Sequence, residues 1–260
     1  MAKRSTGTYV FCLIAASRRP RLTRVAAGLA GMGTARLLDI QPGQWLAVDD
    51  GPLSRYGEQA INSRLADLGW VARAAVAHEA VVESFINAEA VLPMKLFTIF
   101  TSDERAIEYV GRQRGHIDAV LKRVSNHHEW GVRVAFNRAK AAGPKIAARP
   151  ARQEGASGRG YLARKKATRD ATAELAEHAR QTVAGLYHRL TVQAGLSKRR
   201  TGSELPVEGG PLLLDAAFLV PSARSVQFRA LAAREARQLE PQGYRITVSG
   251  PWPPYSFVQD

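Results

Sequence analysis

The chain has 260 residues, 45% of them hydrophobic and 23% charged, which is enough for one large domain or two smaller ones and too apolar for wholesale disorder. Its single cysteine, Cys12, excludes an internal disulfide and, lying in an apolar run, reads as a buried, inert thiol suited to a reducing compartment. The net charge is +14, and residues 138–200 alone hold fifteen Lys and Arg against four Asp and Glu. That surplus is compatible with nucleic acid, an anionic membrane surface, an acidic protein face or plain solvation.

At the start, Lys3, Arg4 and the apolar run from Tyr9 to Ala16 have the look of a weak secretory signal. The run is short, rich in strand formers (Tyr9, Val10, Phe11, Ile14) and followed at once by Arg18 and Arg19, so residues 8–15 are expected as the first strand and the location as cytoplasmic. No segment has the roughly 18 uninterrupted apolar residues of a membrane helix. Gly28, Gly31 and Gly33 do not complete a dinucleotide-binding spacing and do not open a long helix. Two short strands follow instead, 36–40 and 44–49, around Gln41-Pro42-Gly43.

From Leu53 the apolar period becomes helical. Ile61, Leu65 and Leu68 fall on one stripe, and a second helix carries Val71, Ala74, His78, Val82 and Phe85. His78-Glu79 is half of a zinc-protease motif, but Val82 stands where its second histidine belongs, so His78 is expected at the core edge or surface. Residues 92–100 read as one buried central strand. Ser102 caps a following helix whose first turn holds Asp103 and Glu104 and which breaks near Gly111 to Gly115. A strand over 130–136 comes next, preceded by His127 and His128, which point to opposite faces and cannot share a metal unaided.

Residues 138–158 read as a flexible basic link and 160–194 as one long helix, about 50 Å at 1.5 Å per residue. The beginning of that helix is markedly cationic: Arg159, Tyr161, Arg164, Lys165 and Lys166. A turn-rich link over 197–210, a strand over 212–220, a helix over 221–240 and a closing strand over 244–249 complete the pattern. Gly250 and Pro251 should stop that last strand. Prolines 251, 253 and 254 then fix the backbone from which Trp252, Tyr255 and Phe257 are either displayed as anchors or pinned into the core. No nucleophile elbow, phosphate loop, metal-spaced cluster or isolated carboxylate pair is present, so no catalytic, metal or cofactor residues are expected.

Tyr9-Val-Phe11, Ala77-His-Glu-Ala80, Val91-Leu-Pro-Met-Lys95, Glu129-Trp-Gly-Val-Arg133, Gly158-Arg-Gly-Tyr-Leu162 and Gly250-Pro-Trp-Pro-Pro-Tyr-Ser-Phe257 together resemble the GvpL/GvpF family of gas vesicle proteins. Where many members have phenylalanine and glycine after the basic residue of the third motif, this chain has Leu96 and Phe97. The resemblance implies a mixed α+β protein of two domains: a modified ferredoxin-like sandwich, placed at 1–126, and a smaller α+β unit with the long helix, placed at 127–260. It also implies a non-enzymatic accessory role in vesicle assembly, with the very hydrophobic shell protein and other accessory proteins as partners. Arg159, Tyr161, Arg164, Lys165 and Lys166 would bias the encounter with acidic groups, and Trp252, Tyr255 and Phe257 would serve as anchors. The competing class is a basic nucleic-acid-binding module; against it, residues 138–200 interleave only Tyr161 and Tyr187 among their cations.

Overall fold

A computed structural model describes residues 6–142, 158–200 and 210–258, without the side chains of 142, 158–161, 163 and 164. The chain divides into two compact units: residues 1–129 together with 251–260, and residues 130–250. The C-terminal tail therefore packs with the first unit, where the sequence division had left it with the second.

In the first unit, β1 (Thr6–Ala15) is the central strand, and the sheet order is β2 (Arg36–Gln41), β3 (Gln44–Pro52), β1, β4 (Ala90–Pro93), with β5 (Ile99–Phe100) also paired to β1. Every pairing is antiparallel. A bulge between Val10 and Cys12 resets the alternation of β1. As a result Tyr9, Phe11, Cys12 and Ile14 all join one core with Trp45 and Ala47 of β3, although strict alternation would have split them.

Helix α1 (Leu53–Tyr56) and α2 (Glu58–Asn62) are short, and α3 (Leu68–Glu83) closes this core with Ala74, His78, Val81 and Val82. On the sheet's other face lie α4 (Asp103–Arg112) and α5 (Arg114–Val124), which bury Ala106, Val110, Ile117, Val120, Leu121 and Val124. The Ser102 hydroxyl accepts from the Arg105 amide as expected of a cap, and the helix breaks between Arg112 and Arg114.

The run 92–100 is not one strand. Phe97 has φ of 66°, a left-handed conformation that a bulky L-residue avoids, and the turn it makes separates β4 from β5. Two contacts hold it there: its amide donates to the Tyr9 hydroxyl at 3.1 Å, and its ring stacks on Trp70 at 5.0 Å with a 10° tilt.

In the second unit the order is β7 (Leu196–Arg199), β8 (Leu212–Pro221), β6 (His127–Phe136), β9 (Tyr244–Trp252). β7 runs into the segment 197–210 expected as turn-rich, of which residues 201–209 are outside the described residues. After the short α6 (Arg138–Ala142), the basic link from 143 to 157 is likewise outside them. The long helix is α7 (Gly158–Thr191). Its C-terminal half packs Ala179, Val183, Leu186 and Leu190 on the sheet beside Phe228, Ala232 and Leu239 of α8 (Ser225–Leu239). Arg189 of α7 pairs in two hydrogen bonds, 3.1 and 2.7 Å, with the buried Glu235 carboxylate of α8. A buried carboxylate of this kind is tolerated only when so compensated.

Candidate functional site

The closing strand does not stop at Gly250. Gly250 takes φ of 122°, open to glycine, and β9 continues through Pro251 to Trp252 before a short 3-10 turn over Tyr255–Phe257. Proline is admissible there because β9 is an edge strand of its sheet, where a missing donor costs little.

The tail is clamped. The buried Glu129 carboxylate accepts from the Ser256 amide and hydroxyl, both at 2.7 Å, and Arg123 donates to the Phe257 carbonyl at 2.8 Å. Phe257 and Val258 are buried, and Tyr255 packs against the core that contains Tyr9 and Phe11. The Tyr255 hydroxyl is buried and has no hydrogen-bond partner among the described residues; burial, with Glu79 and Glu83 nearby, holds its pKa far above the usual phenol range. Of the three aromatic anchors, Trp252 alone keeps substantial exposure, at 37%. Glu129 and Arg123, which fix the tail, carry no sequence signal for that role because they lie more than 120 residues away from it in the chain.

The cationic start of α7 is a protruding arm. Leu162 and residues 165–174 are exposed, Lys165 and Lys166 among them, and burial begins only at Leu175. Arg159, Tyr161 and Arg164 lie on the same helix with side chains outside the described set. The arm and the tail belong to different units, so the expected site residues divide into two separate groups.

His78 is a core residue, contrary to its expected place at the edge: it is 3% exposed, and its Nδ1 meets the Tyr9 hydroxyl at 2.9 Å. That hydroxyl also accepts from the Phe97 amide, and with the ring neutral above about pH 4 Nδ1 can take the hydroxyl proton when the ring's own proton is on Nε2. Burial pushes the His78 pKa down to about 4, while a hydrogen bond to the Met94 backbone acts the other way. His127 and His128 each bond a backbone carbonyl, of Ser125 and Ile86 respectively. Among the described residues no group of three or more His, Cys, Asp or Glu is placed to hold a metal ion.

A polar cleft of about 460 Å³ opens in the first unit, lined by Thr8, Arg36, Asp50, Ser102 and Asp103. Arg36 spans it in a fork to Asp103 (2.7 and 2.8 Å) and reaches Asp50 at 2.9 Å, so this cleft is braced by its own ion pairs. Among the described residues no helix is long and apolar enough to cross a membrane.

Residues 7–259 match the family model described as gas vesicle synthesis protein GvpL/GvpF, a span that takes in both units and the clamped tail. The chain belongs to the GvpL/GvpF family. Consistent with membership, it is 31% identical over 234 residues to "Gas vesicle protein L" of a Streptomyces species, a match covering 89% of this chain and 86% of that one. The crystal structure of the gas vesicle protein GvpF from an Anabaena species superposes with a TM-score of 0.67 at 14% identity, covering 98% of this chain and 97% of that one. GvpF from Microcystis aeruginosa gives 0.67 at 13% identity, covering 98% and 99%. The two structures establish the shared α+β fold of this GvpL/GvpF protein, with its two sheets each packed against helices.

Proposed function

We propose that this GvpL/GvpF protein is a non-enzymatic accessory component of gas vesicle assembly, working in the cytoplasm and at the vesicle by binding the small, very hydrophobic shell protein. The observation that carries the reading is the family match from residue 7 to residue 259. A shell subunit destined for a gas-facing wall exposes apolar surface before it polymerises, and such surface aggregates in water unless a partner covers it. Large apolar side chains left exposed here, among them Leu68, Val76, Val226 and Trp252, are available for that contact, and Lys165 and Lys166 on the α7 arm would steer the approach of acidic groups. Other accessory proteins of the vesicle are partners in the same reading.

The test is genetic and then biochemical. Cells lacking the gene should fail to form buoyant vesicles, and the tagged protein should retain the shell protein on purification. Replacing Lys165 and Lys166, or Trp252, by alanine should weaken that retention without unfolding the chain. Phe257 is buried, so its replacement reports stability and not contact. Normal vesicles in the deletion strain would refute the role in assembly; unchanged retention with all three replacements would refute these residues as the contact.

A further inference from the structure

Helix α3 leaves one apolar side in solvent. Ala74, His78, Val81 and Val82 enter the core, but Leu68 is 78% and Val76 66% exposed, with Ala72 open between them. At about 100° per residue these three share a stripe with Glu79 and Glu83, while Arg73 falls about 120° round the axis from Glu79. Among the described residues neither carboxylate has an ion-pair partner. The pKa of Glu83 is raised, first by burial and then by Glu79, as expected beside a like charge. The solvent side of α3 is thus apolar at its beginning and acidic at its end.

The α7 arm carries the complementary order. Leu162 is 64% exposed, and Lys165, Lys166 and Arg169 are exposed with no ion-pair partner among the described residues. Leu162, Lys166 and Arg169 fall on one stripe, and Asp170 is turned about 100° away from Arg169. The spacings on the two helices agree. Glu79 and Glu83 stand three and seven residues beyond Val76, and Lys166 and Arg169 stand four and seven beyond Leu162. Laid side by side in parallel, two such helices set Val76 on Leu162 and each carboxylate within one residue, about 1.5 Å of rise, of a cation. Laid antiparallel, they would put Val76 on Arg169 and Glu83 on Leu162.

We infer that the 76–83 face of α3 in one copy of the protein receives the 162–169 stretch of α7 from a second copy. The face belongs to the first unit and the arm to the second, so the contact is heterologous. Copies therefore join head to tail, in a closed ring or an open row. The net charge of +14 opposes this at long range. At about 0.15 M salt that repulsion is screened beyond about 8 Å, whereas the pairs across the contact act inside that distance. Exposed ion pairs are individually weak and the apolar area is modest, so the dissociation constant is expected at about 10–100 µM. Nothing in this inference depends on shell-protein binding, and its test uses this protein alone.

The experiment is sedimentation equilibrium of the full chain at about 0.15 M salt, from about 5 to about 500 µM. The weight-average mass should rise with concentration from that of one chain to that of two or more. Glu79→Lys with Glu83→Lys should weaken association at least about tenfold, and so should Lys166→Glu with Arg169→Glu. The second pair lowers the net charge, so it would strengthen association if overall repulsion governed it. Arg229→Glu with Arg237→Glu, the same charge change on the exposed side of α8, should not weaken it. A chain with all four reversals in α3 and α7 has the parent's net charge and should associate within about threefold of the parent. Melting curves establish that each variant is folded. A second measurement leaves the charges in place: when Val76→Cys chains are mixed with Leu162→Cys chains and oxidised, the mixed disulfide should form about tenfold faster than either homodimer. Four outcomes would overturn the contact: a one-chain mass at every concentration, Lys166→Glu with Arg169→Glu matching the parent, the four-reversal chain staying as weak as either pair alone, or mixed and like disulfides forming at equal rates.

Discussion

Protonation of His78 should destabilise the first unit well above the pH at which its carboxylates titrate. The ring is 3% exposed, and its Nδ1 lies 2.9 Å from the Tyr9 hydroxyl, whose proton it accepts in the Nε2-protonated tautomer. A proton added at Nδ1 would oppose the one the hydroxyl already donates, and Tyr9 cannot turn away without releasing the Phe97 amide. With the folded pKa at about 4 and the unfolded value at 6.5, the unfolded chain takes up the proton first as pH falls. Stability is therefore fully present above about pH 6.5 and is lost progressively down to about pH 4. Linkage puts the loss at about 2 kcal/mol by pH 5 and about 3 kcal/mol once both states are protonated.

The assay is unfolding free energy from urea titrations at pH 7, 6 and 5, comparing the parent with His78→Gln. Glutamine can accept from Tyr9 but cannot be protonated, so other titrating groups cancel in the comparison. The variant should be less stable than the parent at pH 7 by about 1–2 kcal/mol, for the imperfectly placed amide, with the gap closing or reversing by pH 5. A gap constant from pH 7 to pH 5 would refute the argument, since it would mean that the folded protein accommodates the imidazolium as readily as water does.

Three further expectations follow from the geometry. Glu129→Ala leaves the Ser256 amide and hydroxyl without their acceptor and should cost about 2–3 kcal/mol, read by thermal unfolding together with faster proteolysis of the tail. At Phe97 the usual order should invert: alanine keeps the left-handed strain and loses the stack on Trp70, while glycine loses the stack but relieves the strain, so Phe97→Ala should be the less stable by about 1 kcal/mol in equilibrium denaturation. Cys12 is fully buried and its thiol is pushed up by burial, so an aromatic disulfide reagent should react with it only at the rate of unfolding; fast labelling of the native protein would contradict that placement.

Local rules carried the elements whose causes are local. The β-branched and aromatic run of β1, the Pro-Gly turn between β2 and β3, the Ser102 cap with its acidic first turn and the apolar stripe of α7 are all short-range patterns, and each appears where the sequence places it. The departures come where a distant partner decides. Residues 92–100 read as one strand because nothing nearby forbids it. Tyr9, 88 residues earlier, accepts the Phe97 amide and stabilises a turn that a phenylalanine would not make alone. Likewise Pro251 continues β9 because that strand lies at a sheet edge, a fact of topology and not of spacing.

By itself the sequence determined the mixed α+β class, the family to which the chain belongs and the concentration of positive charge in its second half, since propensity, periodicity, motif order and charge are all properties of neighbouring residues. Only the tertiary structure decided that the aromatic tail belongs to the first unit under Glu129 and Arg123, that His78 is a core residue, and that Arg133 and Arg200 meet on Asp215. Each of these depends on pairing across long stretches of chain, where burial sets the energy and the sequence records no distance.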